Sequence, residues 1–164
     1  MASKTDFTSE EWGRLLSSPM VAGMAITAAD PSGVWGLIKE GMASGWALLK
    51  ARQDPQKSSL LRAVAEDFAT AEGRAAARTA LESRFSVTNL AALSSLAVAE
   101  LKAVAGIVDV KAPNDAAAFK DWLEQIAQQA AEAGTEGGFL GFGGVAVSEA
   151  EKATLAQISS ALRG

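Results

Sequence analysis

Apolar residues recur every three or four positions along most of this chain, and the breaks carry residues that start or stop helices. Near the beginning, Thr8 and Glu11 have capping-box spacing, in which each side chain satisfies a backbone N–H at the helix start. Phe7 and Trp12 stand where a hydrophobic staple puts its two members. The pattern predicts a first helix over 9–17. Ser18-Pro19 then reads as an N-cap followed by proline at the first helical position, which opens a second helix over 19–29. The same device recurs at Asp30-Pro31, for a helix to about Ala51, and at Asp54-Pro55, for a helix to about Glu72 with Gly73 as its stop. An alanine-rich helix is expected over 74–84. Another starts at Thr88 or Asn89 and ends near Gly106, and the next starts at Pro113 or Asn114 and ends at Gly134. Ser148 and Glu151 form a second capping box, for a last helix over 149–162.

No strand pattern, hairpin dipeptide or βαβ alternation interrupts this series, and Val108–Val110 is too short to count as a strand. No repeat of solenoid period and no dividing linker is visible. The expected fold is therefore all-α: one domain over 1–164, a compact bundle of seven or eight helices with no sheet, and a glycine-rich loop over 134–147 before the C-terminal helix. Phe119, Trp122, Leu123, Ile126, Ala130 and Ala133 share about a third of one helix circumference. Lys120, Asp121, Glu124, Gln128 and Glu132 lie elsewhere on it. The last helix has a narrower stripe, Leu155, Ile158 and Leu162, which predicts peripheral docking by one edge.

Composition sharpens this picture. Hydrophobic residues make up 49% of the 164, much of it alanine, and there is no tyrosine. That balance favours helices over sheets. The chain has no cysteine and no histidine. Disulfides, zinc thiolates, iron–sulfur clusters and cysteine nucleophiles are excluded, as are a Ser-His-Asp triad and a di-iron Glu-x-x-His bundle. No cofactor is implied. The net charge of −4 argues against nucleic-acid binding, and the basic patch of Lys50, Arg52, Lys57 and Arg62 is interrupted by Asp54 and lacks interleaved aromatics. The N-terminus is polar and acidic rather than a signal peptide. The longest uncharged runs, 15–29 and 85–99, are short of the roughly 20 residues a spanning helix needs. The expectation is a soluble cytoplasmic protein with no membrane span.

Three features carry candidate function. In the helix expected over 31–51, Gly41 and Gly45 lie within an apolar arc that includes Trp35, Met42 and Trp46. Glycine costs about 1 kcal/mol against alanine in a helix interior, so a close backbone neighbour is implied. The face reads as a core helix crossed tightly, as the wall of an apolar pocket or a dimer seam, or as a membrane-surface helix. Second, Glu100 falls on an apolar arc with Leu93, Leu96, Val104 and Ile107, where a carboxylate is costly unless paired. It reads as a half-buried ion pair, with Arg14, Arg62 or Arg78 as possible partners, as a cap on a neighbouring helix, or as a pocket carboxylate of raised pKa. Third, the segment 137–145 holds five glycines with Phe139, Leu140 and Phe142. It matches neither a dinucleotide fingerprint nor a P-loop. It reads as a loop folded onto the core, an apolar knob for a partner or another copy, or an anion-holding loop.

Three functions follow. The leading one is a noncatalytic helical interaction or scaffold module, with a protein partner or self-association. The alternative is a binding protein that holds a small apolar or amphipathic ligand between helices. A third is carboxylate or oxygen-ligand metal chemistry using Glu100, Glu66 or Asp67. Glu66 and Asp67 are adjacent, so their directions differ by about 100°.

Overall fold

The computed structural model describes residues 2–29, 58–86, 90–136 and 147–164. Every regular element among them is helical. A 3-10 turn, Lys4–Asp6, precedes α1 (Ser9–Ala29), α2 (Ser59–Phe68), α3 (Ala71–Arg84), α4 (Leu90–Lys111), α5 (Pro113–Glu136) and α6 (Glu149–Arg163). Six α-helices among the described residues stand against seven or eight expected. Two of the expected helices are one, and the helix expected over 31–51 lies outside the described residues.

The merger is at Pro19, which sits inside α1. Proline has no N–H, so the Leu15 carbonyl four residues earlier loses its helical donor. The Ser18 hydroxyl takes that place, donating to Leu15 O at 2.7 Å, and Ser17 Oγ donates to Arg14 O at 3.1 Å. Ser18 is thus a carbonyl partner in mid-helix, not an N-cap. Both serines and Pro19 are buried, where an unpaired carbonyl is costly. Ser18→Ala should cost about 1–2 kcal/mol in urea unfolding. In the Pro19→Ala background, where the backbone donor returns, the same change should cost much less. Equal losses in the two backgrounds would refute this account. The start of α1 is as the sequence implies. Thr8 N–H donates to Glu11 Oε2 at 2.7 Å, Glu11 N–H donates to Thr8 Oγ1 at 3.2 Å, and the Phe7 and Trp12 rings are 5.6 Å apart.

The α2–α3 boundary falls earlier than the glycine suggests. Ser58 caps α2, and Thr70, not Gly73, divides the two helices: its Oγ1 accepts from Gly73 N–H at 2.9 Å and donates to Asp67 O at 2.6 Å. Gly73 lies in the first turn of α3. A Cβ there would stand 1.9 Å from the Asp67 carbonyl oxygen. The residue is glycine because α3 folds back against the end of α2 at that point. It does not stop a helix.

α4 runs past Gly106 to Lys111, and Val108–Val110 form its last turns. Val104 and Val108 are both buried, so continued helix keeps both in the core. Pro113 then opens α5 at its first helical position. The face expected of α5 is in place: Phe119, Trp122, Leu123 and Ile126 are buried, with the Phe119 and Trp122 rings 5.5 Å apart. α6 starts at its capping box, with Ser148 N–H donating to Glu151 Oε2 at 2.8 Å and Glu151 N–H to Ser148 Oγ at 3.2 Å. It packs against α1, α4 and α5 and buries Thr154, Ile158, Ala161 and Leu162, so it is seated more deeply than its narrow stripe predicts. Arg163 clamps its end to α5, reaching Glu124 Oε2 at 2.5 Å and Asp121 Oδ1 at 3.3 Å.

α1 touches each of the other five helices and is the axle of the bundle among the described residues. Trp12, Leu15, Leu16, Val21, Ala22, Ala25 and Ile26 place its apolar side chains in one cluster with side chains from all the others. α4 lies along α1 over the longest stretch.

Candidate interaction surface

The carboxylates singled out by the sequence have structural partners. Glu100 on α4 is 8% exposed and receives Arg14 of α1 in a two-pronged bond, Nε to Oε1 at 2.6 Å and Nη2 to Oε2 at 2.8 Å. Fork-to-fork geometry of this kind is the strongest form of the pair. Arg62 and Arg78 are exposed elsewhere. Asp67, at the end of α2, accepts from the Trp12 indole N–H at 2.6 Å and from Lys4 Nζ at 3.0 Å. Burial pushes the Asp67 carboxyl up, and the two donors outweigh it, so the net pKa is lowered. Glu66 is exposed. The three carboxylates therefore do not converge on one cleft. Among the described residues no group of three or more acidic side chains could hold a metal ion.

A fourth carboxylate escaped the sequence reading. Asp115, in the first turn of α5, is 8% exposed. It accepts from Ser58 Oγ at 2.7 Å and Ser59 Oγ at 2.9 Å, with the Leu60 and Ala2 N–H groups more distant at 3.5 and 3.4 Å. It ties the chain start and the α2 cap to α5. Burial raises its pKa, and the four donors together reverse this and leave it lowered. One signal was available: Asp115 stands four residues before Phe119 and so lies on the apolar arc of α5.

The outward face of α4 has a different character. α4 is apolar on nearly all sides, and its inner positions Leu93, Ala97, Leu101, Val104, Ala105 and Val108 fill the core. A helix apolar all round is ordinarily buried all round. Here Leu96 is 40% and Val110 80% exposed. Ala99 and Gly106 between them are exposed too, and Ala103 and Ile107 are half-buried. A Cβ at Gly106 would meet nothing within 4 Å. Lys102 and Asp109 border this strip on one flank, and Asp109 accepts from Lys120 of α5 at 2.7 Å.

No protein-family model, no curated protein and no solved structure matches this chain.

Of the residues marked by sequence, Glu100 is placed on the inner side of α4 against α1. The interaction candidates Phe139, Leu140 and Phe142, the pocket candidates Trp35, Met42 and Trp46, and Gly41 and Gly45 lie outside the described residues. The strip on α4 was missed because its residues read as core. Among the described residues no helix is long and apolar enough to cross a membrane.

Proposed function

We propose that this protein is a noncatalytic helical interaction module that docks a protein partner on the outward face of α4. The carrying observation is Val110, a β-branched apolar side chain left 80% exposed on a helix whose apolar residues Leu93, Ala97, Leu101, Val104, Ala105 and Val108 are buried. Isolated exposed apolar residues are common, and one alone marks nothing. Here Leu96, Ala99, Ala103, Gly106 and Val110 form a continuous strip over four turns, which is how helix-docking surfaces are laid out. The carboxylates that could have supported chemistry are instead spent on Arg14, Trp12, Lys4 and the α2 cap.

Val110→Asp tests the reading, because a charge at so exposed a site should change folding stability by no more than about 0.5 kcal/mol. Tagged wild-type protein and the variant would be recovered gently from the native cells, and what each retains identified by mass spectrometry. Species held by the wild type, whether other proteins or untagged copies of this chain, should be lost from the variant. Identical retained sets from two equally folded proteins would overturn the proposal.

A further inference from the structure

Taking the outward face of α4 as the docking surface, and so resting on the reading above, we propose that its partner is a second copy of this chain. The second α4 lies antiparallel along the first, across a two-fold axis. Leu96, Ala103 and Val110 repeat at intervals of seven, with Ala99 and Gly106 in between. That is a coiled-coil seam two heptads long. In an antiparallel pair positions of the first set face positions of the second. A register with its two-fold axis between Val104 and Ala105 sets Val110 against Ala99 of the second copy and Ala103 against Gly106, and leaves Leu96 at the outer end of the seam, level with the start of α5 at Pro113. The large side chain meets a small one, and the centre is small on both sides, so the helix axes can approach closely.

Charge selects the direction. Lys102 and Asp109 are exposed on the same flank of the strip, with Ile107 on the other. Antiparallel helices bring like flanks together. The register fixed by the seam sets Lys102 against Asp109 of the second copy, and the two-fold axis makes that pair twice. A parallel pair would instead set Lys102 against the apolar flank at Ile107. Within one chain Lys102 and Asp109 are seven residues apart, about 10 Å along the helix, and cannot pair. Lys120 of the same chain donates to Asp109 Oδ1 at 2.7 Å. One helix pair buries less than the roughly 1,200 Å² of a standard interface, so the dimer belongs to the weak, exchanging class.

The test is a charge exchange followed by sedimentation equilibrium. Lys102→Asp sets acid against acid twice in its own dimer, and Asp109→Lys sets base against base twice. Each variant alone should self-associate at least about tenfold more weakly than the wild type, with an unchanged helical circular-dichroism spectrum. Mixed in equal amounts, the two variants regain both opposite-charge pairs and should return to the wild-type average mass. No contact within a single chain can produce that rescue. A wild type that stays monomeric to the highest attainable concentration, or a mixture no tighter than its parts, overturns the inference. If the wild type is monomeric while Val110→Asp still releases another protein, only the second copy is refuted and the docking face stands. If nothing is retained and nothing self-associates, both fail.

Discussion

Glu100→Ala should lower the stability of the protein by about 3 kcal/mol, one of the two largest losses expected of any single change to its polar groups. The reason lies less in the lost attraction than in what remains. Arg14 keeps a guanidinium at the α1–α4 contact with its two-pronged partner gone. A cation left uncompensated in such a place costs several kcal/mol. The pair itself contributes far less, because both members were desolvated to form it. The double variant Arg14→Met, Glu100→Leu should therefore recover most of the loss. Urea unfolding of wild type, single and double variants measures this directly. A double variant as unstable as Glu100→Ala would show that α1 and α4 need the charges themselves.

Asp115→Ala is expected to cost a similar amount, about 3 kcal/mol, since it strips charged-acceptor bonds from Ser58 and Ser59 and unties the α2 cap from α5. This site also has a pH signature. The folded Asp115 carboxyl has a pKa below its ordinary 3.8, burial being outweighed by the hydroxyl and backbone donors. Asp67 behaves likewise through Trp12 and Lys4. A carboxyl whose pKa is lowered by folding binds protons less readily when folded. Its stabilisation is complete above the unfolded value and is lost as pH falls through the folded one. Stability should thus fall as pH drops below about 3.8, and Asp115→Asn should flatten that fall while lowering stability at neutral pH. An acid limb as steep in Asp115→Asn as in the wild type would remove Asp115 from the account.

The parts of the fold that were readable are those set by neighbours in sequence. Capping boxes at Thr8–Glu11 and Ser148–Glu151 bind groups three residues apart, so the pattern and the bond are the same fact. The apolar arc of α5 is likewise a matter of spacing along one helix. The misreadings share a cause. Ser18-Pro19 and Gly73 are residues with two uses, and which use holds depends on how the helices around them pack. Pro19 stays inside α1 because burial on both sides of it favours one long rod and Ser18 replaces the missing donor. Gly73 serves a contact with the Asp67 carbonyl, which exists only once α2 and α3 have folded against each other.

The candidate site was less legible than the fold. Periodicity marks α4 as apolar on several sides but cannot say which sides are covered. Leu101 and Val110 look equally fit for a core, and one is sealed while the other stands in solvent. The partner of Glu100 was narrowed to three arginines by charge, and the path of α1 past α4 selected Arg14.

What the order of residues dictates here is helix: alanine content, caps and three-to-four spacing act within a few residues and hold in any arrangement of the rods. Which rods meet, which carboxylate meets which base, and which apolar strip stays outside depend on contacts between positions tens of residues apart. Those contacts become favourable only when many surfaces are buried together, and no local pattern encodes that joint condition.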